Sequence, residues 1–221
     1  MPQLPLPDFD FLIRILPQLM AGAWITVQLT VFSVGAGVVL GLLLALARLS
    51  KNPIISGPAI AFIEFMRGTP LLAQIFMIYF GLGSLGINIP DFASGFVALS
   101  LNSSAYNAEI FRAGIQSISK GQMEAARSLG LNYFQAMSYV IVPQAVRFAL
   151  PPLGNEFIAL LKDSSLVAII GISDLMRVGR EINGRTLRSI EVFGYVSIIY
   201  LLMTMPLSQG VAWLERHFKR P

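Results

Sequence analysis

The sequence predicts an all-α integral membrane protein, and three observations carry that prediction. Hydrophobic residues make up 55% of the 221-residue chain and charged residues only 13%, whereas soluble domains average about a quarter charged. Mean hydropathy is +0.68. The apolar residues gather into long runs separated by short charged stretches, the pattern of spans and loops. Lipid offers the backbone no hydrogen-bond partner, so such spans must be helical. The short alternating segments of a barrel are absent from the sequence.

Charge and composition exclude several classes. The net charge of +4 sits at the ends of apolar runs, and no basic cluster interleaves with aromatics, so nucleic acid is not an expected partner. The chain has no cysteine and one histidine, His217 in the basic tail. Disulfide, thiolate and cysteine–metal chemistry are excluded, and a histidine-based metal or acid–base site is not expected. No nucleophile–base set stands out, and no metal ligands are assigned. The Pro-rich, acidic start, Met1 to Asp10, lacks the basic region of a cleaved signal peptide.

The elements follow in chain order. A first span runs from about Gly22 to Leu46 and ends at Arg48 and Lys51, a cytoplasmic flank. Within it Ser33, Gly37 and Gly41 recur every four residues, a small-residue ridge for close helix packing. The second region, Ile54 to Leu82, is broken at Gly68-Thr69-Pro70. Thr69 as N-cap and Pro70 at the first helical position would start a new helix there. Glu64 and Arg67, three apart, can pair on one face. A loop from Gly83 to Asp91 without Lys or Arg suits the outside. The third span is about Phe92 to Ala113, the fourth about Gln144 to Leu161, and the fifth about Val192 to Leu214. Five spans place the N-terminus outside and the C-terminus inside. The segment after span four breaks the charge rule, since it carries Lys162, Arg177, Arg180, Arg185 and Arg188. It is either a docking surface for an acidic partner or a segment folded back onto the bundle.

Between spans three and four lies a polar cassette, Ser119 to Val142. Ser119-Lys120-Gly121-Gln122 has the form of a capping box and opens a helix carrying Glu124 to Leu129. Glu124 and Arg127 can bond sideways, Ala125 and Ala126 leave room, and Gly130 fits a left-handed C-terminal position. Asn132 to Gln135 can cap a second short helix that stops at Pro143. Such a helix either lies in a partner's groove or rests on the bilayer surface.

Glu124-Ala125-Ala126, then Gly130, then Val140 and Val142-Pro143 resemble the EAA loop of bacterial ABC-importer permeases. The family pattern is Glu-Ala-Ala, three residues, Gly, nine residues, Ile, one residue, Leu-Pro. This chain departs conservatively, with Val140 for Ile and Val142 for Leu. Phe65 to Leu72, Ala105-Tyr106 with Glu109 and Arg112, Gly121-Gln122, Pro143-Gln144-Ala145 and Lys162 to Leu166 are similar to the polar amino acid subfamily. The resemblance covers roughly Gly22 to Leu214. It implies one transmembrane permease domain of the type I importer fold. Implied partners are two ATPase subunits, a second permease (identical or paralogous), an extracytoplasmic binding protein and a polar amino acid. ATP and magnesium would belong to the ATPase, because this chain has no phosphate-binding Gly-x-x-x-x-Gly-Lys-Ser/Thr loop. Gly121, Glu124, Ala125, Ala126, Arg127 and Gly130 would form the ATPase-coupling site in an inner-membrane protein.

Candidate substrate residues come from polar positions inside spans. Asn155 and Glu156 follow Pro151-Pro152 in span four, and Asp163 lies seven residues beyond Glu156, on the same helical face. An ionised carboxylate in a span costs about 2.5–3.5 kcal/mol and calls for a partner or a task. A cationic amine suits it; an internal ion pair with Arg147 or Lys162 is the structural alternative. In span three Asn102, Tyr106 and Glu109 share one face, and Ser100, Ser104 and Asn107 the adjacent one. These are interhelical glue or pathway lining, with Glu109 paired to Arg112. Asn102 and Ser104 are retained as substrate candidates. A stand-alone ion-coupled carrier or channel, with Glu156 and Asp163 titrating, is the rival function, and a non-transporting membrane anchor is a third.

Overall fold

The computed structural model describes residues 9–218. The Pro-rich stretch before Phe9 and the basic residues Lys219 and Arg220 lie outside them. Ten α-helices and no strand are found among the described residues. The first, α1, runs 40 residues from Phe9 to Arg48, well beyond the expected start at Gly22. After it come α2 (Pro53–Gly68), α3 (Leu71–Phe76), a π-helical turn (Met77–Gly81), α4 (Leu82–Ser84) and α5 (Asp91–Gln116). The cassette holds α6 (Lys120–Ser128), α7 (Tyr133–Ala136) and a second π-helical turn (Met137–Ile141). The last part comprises α8 (Val142–Asp163), a 3₁₀ segment (Ser164–Ile170), α9 (Leu175–Thr186) and α10 (Ser189–Phe218).

The small-residue ridge decides how the bundle packs. A Cβ on Gly37 would sit 2.7 Å from Ser103 Oγ, and one on Gly41 2.6 Å from Asn107 Cβ. Those are sub-van der Waals separations, so α1 and α5 approach closely only because these positions are glycine. The contacts advance together along both helices, which makes α1 and α5 parallel. Gly95 abuts Val167 while Gly114 abuts Ala145 and Ala149, so α8 runs antiparallel to α5. The Arg188 guanidinium lies 4.7 Å over the Phe11 ring, and Val192 and Val196 cluster with Phe11 and Ile15. α10 therefore begins where α1 begins. Arg48, α6 and Arg216 end up at one end of the bundle, and α9 at the other.

Five crossings, three of them apolar, make up this arrangement. By length and apolarity α1 and α10 qualify as membrane spans, and the pair α2 with α3–α4, bent by 110°, counts as a third when taken as one broken span. α5 and α8 are 26 and 22 residues long, enough to cross, but polar residues keep them below the apolarity of a lipid-facing span. Ser94, Ser100, Asn102, Ser103, Ser104 and Asn107 of α5 are all buried.

At the far end the Arg-rich segment folds back. α9 packs its Leu175 and Ile182 against Phe11, Leu19 and Ala23 of α1. Asp174 caps α9, accepting from Met176 and Arg177 N–H at 3.2 and 3.0 Å. Burial pushes its carboxyl up to about 6. Thr26 Oγ1 accepts from Leu175 N–H at 3.1 Å, which ties the start of α9 to the middle of α1. The arginines thus ride the outward side of a helix whose apolar side belongs to the core.

Three local expectations are corrected. Thr69 does not cap α3: its hydroxyl donates back to Phe65 O at 2.8 Å, and the helix begins at Leu71. The Glu64–Arg67 pair does not form, because neighbouring helices supply other partners: Glu64 lies 3.3 Å from Arg48 of α1 and Arg67 3.7 Å from Glu109 of α5. The chain does not stop at Pro143 but continues from α7 into α8. The π turn just before Pro143 widens the helix where the ring would clash, and Gln144 Nε2 donates to Val140 O at 2.8 Å.

Candidate functional site: the coupling helix and the polar face of α8

α6 stands clear of the bundle. Gly121, Glu124, Ala125, Arg127 and Gly130 are exposed, and Ala126 is the one fully buried residue of the helix. The helix packs against α7 and the π-helical turn Met137–Ile141. Ser119 occupies the N-cap, but its side chain makes no capping bond. Gln122 N–H instead donates to Ser119 O at 3.0 Å. No ion pair joins Glu124 to Arg127 among the described residues, so both charges are available to a partner.

The C-terminal end of α6 is built more firmly. Gly130 takes φ +85°. Leu131 N–H donates to Ala126 O and Gly130 N–H to Arg127 O, at 3.3 and 3.0 Å, the paired bonds of a Schellman motif. Asn132 then caps α7 with a complete capping box: Gln135 N–H donates to its Oδ1 at 2.9 Å, and its own N–H donates to Gln135 Oε1 at 3.0 Å. Two capped helices back to back fix the angle at which α6 is presented. Beside it Leu129, Tyr133, Phe134 and Tyr139 are 53–84% exposed. The motif reading passed over this apolar apron. Its signal was three aromatics within nine residues of Gly130.

The candidate substrate residues separate into two groups. Asn102 is buried and donates from Nδ2 to Gln74 Oε1 at 3.0 Å. Gln74 Nε2 lies 2.8 Å from Met66 O and 2.9 Å from Thr69 Oγ1. The pair supplies donors to the backbone where the α2–α3 break leaves carbonyls without helical partners. Ser104 is fully buried beside Gly41 and donates to Leu101 O at 2.7 Å. Neither residue stands in an open polar cleft.

α8 presents the second group outward. Asn155 and Asp163 are exposed and Glu156 is half-buried. No cation pairs with Glu156 among the described residues, so the ion pair with Arg147 or Lys162 does not form. Pro151 and Pro152 lie inside the helix and leave the carbonyls of Arg147 and Phe148 without their helical donors. One turn before Glu156, a cleft of about 520 Å³ opens between α5 and α8, lined by Arg67, Tyr106, Arg112, Phe148 and Pro152. At its edge Glu109 pairs with Arg112 at 2.8 Å, as expected, and also with Arg48 at 3.0 Å.

Comparison with known proteins fits this geometry. Residues 37–220 match the family described as binding-protein-dependent transport system inner membrane component. The chain belongs to that family. The permease is 41% identical over 201 residues to the probable glutamine ABC transporter permease protein GlnM of Bacillus subtilis, covering 91% of this chain and 93% of that one. It is 39% identical over 214 residues to the glutamine transport system permease protein GlnP of Escherichia coli, covering 96% and 98%. Among solved structures, a chain from the "Crystal structure of an amino acid ABC transporter with histidines" superposes with TM-score 0.91 at 45% identity, covering 97% of this chain and all of that one.

Proposed function

We propose that this permease is the membrane-spanning subunit of an importer for polar amino acids, driven by ATPase subunits bound at α6. The observation that carries the reading is the pairing of two unsatisfied surfaces on one scaffold. A rigidly capped helix projects from one end of the bundle, and Glu156, a carboxylate that no cation pairs with among the described residues, stands part-way along α8. The relatives' names supply the substrate class, glutamine and other amino acids.

Two ATPase subunits, carrying the ATP and magnesium, would receive the α6 helices of two permeases. An extracytoplasmic binding protein would deliver substrate at the opposite end, where α9 presents its arginines. The end holding Arg48 and α6 then faces the cytoplasm, and the start of α1 faces outside. Motion of α6 is transmitted through Ala126 and the π-helical turn to α8, because α7, that turn and α8 form one continuous helical stretch. Asn155, Glu156 and Asp163 would receive the substrate's amine between the two halves. Asn102 and Ser104 shape the bundle that holds α8 in place. Each ligand must favour one state of the permease over the other for the cycle to turn.

Co-purification in gentle detergent tests the reading. An ATP-binding cassette protein should accompany the intact permease and be lost when residues 121–131 are replaced by a Gly/Ser segment. Retention of the ATPase without α6, or ATP-independent amino acid flux through the isolated chain, would overturn it in favour of a stand-alone carrier.

A further inference from the structure

Three arginines converge on one carboxylate at the Arg48 end of the bundle. Glu109 lies 3.0 Å from Arg48, 2.8 Å from Arg112 and 3.7 Å from Arg67. Glu64, 3.3 Å from Arg48, is the other carboxylate of the cluster. Three positive charges therefore face two negative ones. Arg112 is fully engaged, with two bonds from Nε and one from Nη2 to Glu109, and a further contact to Gln116. Arg48 is divided between Glu64 and Glu109. Arg67 is held least: its ion pair is the longest, its side chain is 38% exposed, and its guanidinium lies 5.5 Å over the Tyr106 ring.

Arg67 faces the cleft of about 520 Å³ whose far wall is Phe148 and Pro152 of α8. Glu156 follows Pro152 by one helical turn, about 6 Å along the axis. An anion receptor and a cation receptor thus flank the same stretch of α8: Arg67 is held only by its long ion pair to Glu109, and no cation pairs with Glu156 among the described residues. A free amino acid carries both complementary charges at neutral pH. Resting on the amino acid reading above, we propose that Arg67 binds the α-carboxylate of the transported amino acid in this cleft and is a specificity-determining residue of the pathway. The planar fork of a guanidinium matches a carboxylate with two donors. The Tyr106 ring lies against the guanidinium, and Phe148 and Pro152 form the opposite wall of the cleft. Arg48 and Arg112 continue to neutralise Glu109 when Arg67 turns to the ligand, so the bundle keeps its ionic clasp.

The test uses the whole transporter, with its ATPase and binding protein, in proteoliposomes supplied with radiolabelled L-glutamine. R67Q is expected to lower uptake about tenfold or more, as when a charge-assisted hydrogen bond is lost. ATP hydrolysis stimulated by loaded binding protein should stay within about twofold, and R67K, which keeps the charge but not the fork, should recover only part of the uptake. Unchanged uptake in R67Q overturns the inference. So does ATP hydrolysis that falls in step with uptake, which marks a structural clasp. A loss of uptake seen only with anionic phospholipid, and absent in pure phosphatidylcholine, overturns it too by assigning Arg67 to a lipid headgroup. A wild-type transporter that moves none of L-glutamine, L-arginine and L-cystine overturns the importer reading itself, and the inference with it.

Discussion

α5 and α8 are both polar helices in an apolar bundle, and they use their polarity in opposite ways. On α5, Ser100, Ser103, Ser104, Asn102 and Asn107 are buried, and each side chain bonds within the chain: Ser100 to Phe96 O, Asn107 Nδ2 to Ser103 Oγ, Asn102 to Gln74. On α8, Asn155 and Asp163 are exposed, and Glu156 has no cation beside it among the described residues. A polar side chain in a membrane helix needs a partner. Where the partner is in the same chain, the residue is part of the fold. Where it is not, the residue waits for another molecule. Substitutions on α5 should therefore register as stability, and substitutions on α8 or α6 as function.

The largest effect belongs to the α1–α5 contact. Gly41→Val would place Cβ 2.9 Å from Ser104 O and 2.6 Å from Asn107 Cβ, where a backbone atom cannot yield. About 3 kcal/mol of destabilisation is expected, read as a collapse of the monodisperse peak in size-exclusion chromatography. Gln74→Ala comes next. It strips donors from Met66 O and Thr69 Oγ1 and the acceptor from Asn102, at about 1–2 kcal/mol. Asn102→Ala should cost roughly half as much and leave uptake per folded molecule unchanged. A raised KM with unaltered thermal stability would instead return Asn102 to the substrate site.

The sequence made one half of this contrast easier to read than the other. The ridge Ser33-Gly37-Gly41, the break at Pro70 and the left-handed Gly130 were all legible, because each is a local rule of small side chains or backbone dihedrals. The fate of Asn102 was not legible. Its helical face matches that of a pathway residue, and only the bend between α2 and α3 brings Gln74, 28 positions away, within reach. The three-residue spacing of Glu64 and Arg67 misled for a like reason: packing of α2 against α1 and α5 offered Arg48 and Glu109 as partners. Fully capped helices in the cassette were legible at Asn132, where both capping-box bonds form, and not at Ser119, where the side chain stays unused. The fold-back of α9 was one of two readings left open. Its buried Leu175 and Ile182 and the buried cap Asp174 decide it.

The functional half is probed by Glu156→Gln. The substitution keeps the side chain's size and removes a charge that the chain itself does not balance. Uptake should fall about tenfold or more, equivalent to about 1.4 kcal/mol of lost binding, while thermal stability holds or rises slightly. Equal losses of uptake and stability would mean that Glu156 belongs with the α5 residues, and the division between the two helices would fail.

Gly130→Ala carries a small effect and separates the two regions most cleanly. Nothing lies within 4 Å of a Cβ at this position, so the cost is purely conformational: φ +85° is left-handed, and an alanine there loses about 1 kcal/mol. That cost falls on the Schellman bonds from Leu131 and Gly130, at the C-terminal end of a helix with one buried residue. The bundle does not depend on α6 for its core, so the melting temperature of the permease alone should stay put. Under the proposed coupling role an ATPase would need α6 at a fixed angle, and about 1 kcal/mol of fraying should weaken its capture about fivefold. A titration of ATPase against immobilised permease reads this directly. A fall in melting temperature with unchanged capture would place α6 among the structural elements and remove the distinction from which the coupling role is argued.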